Sequence, residues 1–167
     1  MDNISKHITY NEATNSYLAK KLGINNTPNA EQLINMNAVA INVFEPIREH
    51  FELKIYIASF FRSSALNGAI NGSSSTSQHM TGQAIDIDAD TYGSITNKEI
   101  FDYIKDNLDF DQLIAEGVDL AGNIDWVHVS YNNSKNRKSV LLMERTSAGP
   151  KYYKYDSKKD LHLCSYR

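Results

Sequence analysis

Cysteine is nearly absent from this chain of 167 residues: there is one, Cys164, close to the end. A single thiol excludes a disulfide framework and a cysteine-built metal site, and no base beside it marks it as a nucleophile. An excess of charge is missing too. The formal net charge is −3, which leaves no electrostatic footprint for nucleic acid or an anionic membrane. No apolar run approaches the roughly 20 residues of a membrane span. The opening MDNISKHITYNEA lacks the apolar segment of a secretory signal. The expectation is a protein made in the cytoplasm, which reaches any external target by separate export or by lysis of the cell. The basic residues Lys135, Arg137, Lys138, Lys151, Lys154, Lys158 and Lys159 read as a solvated face.

What the chain does contain is enough for one domain with an ordinary core, spanning 1–167. Thr9 with Glu12 forms a capping box, and apolar positions at helical spacing then predict a helix to Leu22, stopped by Gly23. Pro28 is placed near the first turn of a second helix. That helix runs through LINMNAVAINVFEPIREHF, with Leu33, Met36, Ala40, Val43, Phe44 and Ile47 on one face and a kink or break at Pro46. KIYIASF (54–60) reads as a strand, SALNGAI as a short helix and NGSSSTS as a loop. QAIDIDA is a second strand. Thr96 with Glu99 opens another helix through Ile100, Ile104 and Leu108. DQLIAE, WVHVSY, SVLLMERT and KYYKY then follow as strands. Helices first and strands later favour an α+β fold, with N-terminal helices packed on a mainly antiparallel sheet.

The chemistry concentrates in TSQHMTGQAIDIDAD, residues 76–90. Strand alternation sends Ile85, Ile87 and Ala89 inward and puts Asp86 and Asp88 together on the other face. Asp86, Asp88 and Asp90 imitate the start of a calcium loop. That loop needs Gly at its sixth position and Glu at its twelfth, where this chain has Thr91 and Asn97. His79 with Asp86 suits zinc better, since zinc takes imidazole nitrogen and carboxylate oxygen and a catalytic site needs three protein ligands plus an open position. Gly82 permits a tight turn between the two. Of the five histidines, His128 in DWVHVSY is the best third candidate, a polar position on a strand whose other face carries Val127 and Val129.

The pattern Ser77-x-His79-x-x-Gly82-x-Ala84-x-Asp86, followed by Trp126-Val127-His128, resembles the zinc D-Ala-D-Ala peptidases, most of all the subgroup common in phages and their hosts. ITYNEATNSYLAKKLGINNTP, FRSSALNGAINGSSSTSQH and FDQLIAE are similar to that subgroup as well, with Phe61 where Tyr is usual. The resemblance covers about 4–131, and 132–167 are taken as C-terminal strands and tail of the same domain. It implies a hedgehog/DD-peptidase-like fold and one zinc ion held by His79, Asp86 and His128. It implies a peptidase acting on peptidoglycan stem peptides or cross-links, as carboxypeptidase or endopeptidase, of the phage lysin type. A monomer is expected, with cell-wall peptide as its partner.

Peptide hydrolysis also needs a group that takes a proton from water and returns it to the leaving amine. Two acids match family positions. Asp125 stands three before His128, and Glu116 ends FDQLIAE. If 111–116 and 125–131 form a hairpin, Glu116 falls opposite Trp126 and shares the face of His128, while Asp125 points away. Both remain open, with alternation favouring Glu116. Arg62 is implied to hold substrate or stabilise the developing oxyanion, which a guanidinium suits. Ser77, Trp126 and Tyr131 are candidates to border the substrate, although core packing is the commoner role for a tryptophan. Asp88 either orients a ligand or is solvated. The competing reading is a catalytically silent module that binds cell-wall peptide or serves as a structural part of a virion.

Overall fold

A computed structural model describes residues 3–156. Cys164, His162, Lys158 and Lys159 lie outside the described residues. Six helices and six strands follow in the order α1 (Tyr10–Thr14), α2 (Tyr17–Leu22), α3 (Ala30–Val39), α4 (Glu45–Phe51), β1 (Tyr56–Ser59), α5 (Ser64–Ala69), β2 (Ala84–Asp88), α6 (Asn97–Asn107), β3 (Gln112–Glu116), β4 (Trp126–Ser130), β5 (Ser139–Thr146) and β6 (Gly149–Lys154). The fold is α+β, as its element order predicts.

Both capping boxes form, at Thr9/Glu12 and Thr96/Glu99. The first predicted helix does not run unbroken to Leu22. Asn15 turns extended, and Ser16 caps a separate α2 by accepting from the Ala19 amide at 3.2 Å. Side-chain competition for backbone donors explains the break. Pro28 falls just outside α3, whose cap is Asn29 with a reciprocal Gln32. The predicted kink at Pro46 takes the form of a π turn over Ala40–Phe44 that leads into α4. Proline has no N–H to continue the ladder, and the wider turn accommodates that loss. β1 is shorter than the predicted 54–60.

The strands form one sheet in the order β1-β2-β4-β3-β5-β6. All pairings are antiparallel except β3 with β5. One face carries Ile85, Ile87, Val127, Val129, Leu113, Ala115 and Leu142, packed with Met36, Val39, Val43, Phe44 and Ile47 and with Ile100, Phe101 and Ile104 of α6. Each of the larger side chains among them, fully buried, contributes about 1.5–3 kcal/mol. The core therefore lies on the helix side, and the opposite face of the sheet is left for the site.

Candidate metal centre

His79, Asp86 and His128 come together on that open face. β2 and β4 are central, adjacent strands, and their register sets Asp86 directly opposite His128. His79 arrives from a 3-10 turn, Gln78–Thr81, that ends on Gly82 with φ +74°. A Cβ at Gly82 would stand 2.5 Å from the Gln32 carbonyl oxygen of α3. Glycine therefore lets the turn press against the helix and aim His79 back at the strand. Asn35 Nδ2 and Gln32 Nε2 fasten the same turn by donating to the Thr81 and Met80 carbonyls.

The donor atoms lie close. His79 Nε2 is 3.1 Å from Asp86 Oδ1 and 3.3 Å from His128 Nδ1, and His128 Nδ1 is 2.9 Å from Asp86 Oδ1. Ligands on a tetrahedral zinc at about 2.0–2.1 Å stand about 3.4 Å apart, so a small widening of the ring of donors separates the two geometries. His79 Nδ1 donates to the Phe60 carbonyl at 2.6 Å, and burial depresses the imidazole pKa. The ring is thus neutral, with its Nε2 lone pair turned towards a carboxylate oxygen. Two acceptors facing each other in a buried place fit a cation between them. Among the described residues this is the group of His, Cys, Asp and Glu side chains whose arrangement could hold a metal.

Burial alone would raise the Asp86 carboxyl. The two imidazoles beside it, His79 and His128, outweigh that and hold Asp86 well below the usual carboxylate range. Arg62 donates through Nη2 to Asp86 Oδ2 and through Nε to Ser59 Oγ at 2.8 Å. One carboxylate oxygen is thereby left to the imidazoles and the other to the guanidinium.

The triad sits at the base of a cleft of about 880 Å³. Arg62, Ser77, Glu116 and Trp126 all line it. Glu116 pairs with Trp126 across β3 and β4, as alternation predicts. It is buried, and burial is the main reason its pKa is pushed up to about 7. The negative charge of Asp86 adds to that rise, while His128, Arg145 and Arg62 oppose it. Asp125 is not among the lining residues. Its carboxylate is half exposed and meets Arg145 Nη2 at 2.8 Å. Trp126 is not a core residue, contrary to the commoner role. It is partly buried on the cleft face, with the Arg145 guanidinium 5.2 Å above its ring. Tyr131 packs against the core instead of the cleft.

Asp88 makes no hydrogen bond to the triad and is partly exposed. With Asp90 it grips the buried Asn97, whose Nδ2 donates to Asp88 Oδ1 at 3.2 Å and Asp90 Oδ2 at 3.3 Å, and whose N–H reaches Asp90 Oδ1 at 3.0 Å. Nδ2 also reaches the carbonyls of Ile124 and Asp125 at 3.1 and 2.9 Å. The second and third aspartates thus tie the end of β2 and the start of α6 to the entry of β4, which carries His128. Sequence reasoning also missed Asp111. This buried carboxylate accepts from Gln78 Nε2 at 2.9 Å and from Arg137 Nε and Nη2 at 2.8 and 2.5 Å. Nothing local in DQLIAE signals a partner 26 positions away.

The family model for Peptidase M15 matches residues 6–130 of the chain. No curated protein matches it. The matched span includes His79, Asp86, Glu116 and His128, and it ends before β5 and β6 begin.

Proposed function

The chain belongs to the Peptidase M15 family, and on that premise we propose that it is a zinc-dependent peptidase hydrolysing D-amino-acid peptide bonds in peptidoglycan stem peptides or cross-links. The observation that carries this reading is the meeting of His79, Asp86 and His128 at 2.9–3.3 Å, with buried Glu116 on the same sheet face. A zinc ion held by His79, Asp86 and His128 would supply Lewis acidity for a peptide carbonyl and for the attacking water.

The chain's own groups do the rest. The Phe60 carbonyl fixes the His79 tautomer, and Arg62 fixes Asp86, so the ligands need little rearrangement to bind. Glu116 takes the proton of the attacking water and returns it to the amine nitrogen as the C–N bond breaks and the acyl C–O bond forms. Burial raises the Glu116 carboxyl, the direction that suits a group that must both take and return a proton. We assign Arg62 a grip on a substrate carboxylate or on the developing oxyanion, and Ser77 and Trp126 contacts along the bound peptide. The half-exposed ion pair of Asp125 with Arg145 makes it the poorer base. A phage lysin, released with the cell contents onto the wall, is the setting we favour, and no helix among the described residues is long and apolar enough to cross a membrane.

Zymography on purified cell wall tests the reading. The zinc-loaded chain should clear the wall, chelator should abolish clearing and added zinc restore it. Binding to the wall with no release of peptide, in the presence of zinc, would instead make the chain a silent wall-binding module.

A further inference from the structure

The cleft extends further than the chemistry at its base requires. The triad and Glu116 occupy β2, β3 and β4. The wall beyond them is built by β5 and β6, residues 139–154, outside the span matched by the family. Register carries the site face outward onto that hairpin. Ile114 stands opposite both His128 and Leu141, Glu116 is opposite Met143, and Met143 is opposite Tyr152. Paired residues share a face, so Leu141, Met143 and Tyr152 continue the surface that bears the metal ligands. Arg145, two beyond Met143, follows by alternation. All four line the cleft.

The chemistry of this extension is specific. Leu141 and Met143 make an apolar floor, and Tyr152 adds an amphipathic ring at little cost in conformational freedom. The Arg145 guanidinium is held in place by Asp125 on one side and the Trp126 ring beneath it. A guanidinium held this way loses less freedom when it meets a carboxylate. Arg62, Arg137 and Arg145 line the cleft, paired with Asp86, Asp111 and Asp125, and Arg145, with a side chain 61% exposed, keeps guanidinium surface open to a further carboxylate. The facing wall, from Asn71 to Ser77, offers neutral hydroxyl and amide groups. A negatively charged peptide with aliphatic side chains is complementary to such a groove.

We propose that the open face of the β5–β6 hairpin is a substrate subsite. Leu141, Met143 and Tyr152 receive an aliphatic stretch of an acidic peptide, and Arg145 meets a carboxylate on a residue remote from the scissile bond. The subsite rests on the peptidase reading above and deepens it. It makes the enzyme selective for an extended stem peptide over the bare dipeptide at the cleaved end.

The test compares the zinc-loaded full chain with Arg145→Ala, Tyr152→Ala and Tyr152→Phe on two substrates. One is a synthetic stem pentapeptide with a D-isoglutamate and a D-Ala-D-Ala end. The other is N-acetyl-D-Ala-D-Ala, which has no acidic remote residue. Arg145→Ala and Tyr152→Ala should each raise KM for the pentapeptide about tenfold, the scale of one partly exposed charged or aromatic contact. Both should leave KM for the acetylated dipeptide unchanged, and Tyr152→Phe should behave as wild type. Equal shifts on both substrates, or none on either, would overturn the subsite. If the wild type cleaves neither substrate, the peptidase reading fails by itself. Calorimetric titration with the pentapeptide then decides the subsite: weaker binding to Arg145→Ala supports it, and unchanged or absent binding overturns it. Thermal unfolding of Arg145→Ala, a surface change, guards against loss of fold.

Discussion

At the centre of the sheet Asp86 is 5% exposed and faces His128 across a ladder closed on both sides, whereas at the edge Tyr152 is 51% exposed on the last strand. Both regions look into the same cleft. The centre is bound by paired strands, by the Gly82 turn against α3 and by the Asn97 network, so its ligand atoms are fixed to within a few tenths of an ångström of what an ion requires. The edge is held by one strand pairing and by surface contacts such as Arg145 on Trp126. Chemistry that needs fixed geometry sits where the backbone has no freedom. On the proposed reading, recognition of a substrate, which tolerates small adjustments, falls where one strand can vary without disturbing the triad.

The sharpest way to break this contrast is to remove a central ligand. His128→Ala should abolish stoichiometric zinc and lower activity at least about a thousandfold, on the scale of losing a metal-activated nucleophile. Metal analysis of the purified variant, with the fold checked by circular dichroism, decides it. Retained zinc at one per chain would take His128 out of the ligand set. Next in size is Glu116→Gln. The amide matches the carboxyl in shape but accepts no proton, so kcat should fall about a hundredfold or more while zinc content is kept. Near-normal kcat in this variant, together with a large loss in Asp125→Asn, would move the base to Asp125.

Much of the centre was legible in the chain. Period-two alternation placed Ile85 and Ile87 in the core and Asp86 on the site face, and the hairpin register of Glu116 against Trp126 followed from the same rule. Both Thr-x-x-Glu capping boxes announced their helices because the signal is local. What escaped depended on distant partners. Asp88 looked like a member of a charged strand face, and Asp90 like part of an imitation calcium loop, because Asn97, which binds both, belongs to another element. The edge was harder still. SVLLMERT reads as a strand, but nothing in it says that it pairs in parallel with β3 and so carries Met143 beside Glu116. Core packing, the commoner role of a tryptophan, competed with a cleft position for Trp126 for a related reason: the cation that covers its ring comes from Arg145, on that same unforeseen neighbour.

A smaller effect probes how the centre is held. Gly82→Ala puts a Cβ into a left-handed backbone and 2.5 Å from a helix carbonyl. Left-handed strain and overpacking against backbone together should cost about 3 kcal/mol. Urea unfolding measures that cost directly. Because His79 lies on the displaced turn, zinc affinity should fall with it. A stable variant with weakened zinc would separate positioning of the ligand from stability of the fold, and a variant unchanged in both would show that α3 does not constrain the turn.

The joint between the two regions should give the smallest change, and one with a pH signature. Arg137, in the link from β4 to β5, clasps Asp111 at the entrance to β3, and Gln78 beside the ligand His79 shares that carboxylate. The hydrogen bonds from Arg137 are the main reason the Asp111 pKa is lowered from 3.8 to about 2. A carboxyl whose folded pKa is depressed contributes stability that is present above its unfolded pKa and is lost as pH falls through the folded one. Arg137 is more than half exposed on its side-chain surface, so solvent screening reduces the contribution to about 1–2 kcal/mol. Arg137→Ala should therefore be less stable than wild type by that amount at pH 6, with the gap closing between about pH 4 and pH 2. Urea titrations at both ends of that window measure it. A gap that stays constant across the window would mean that Arg137 acts through packing of its stem, and that the edge is joined to the centre by contact alone.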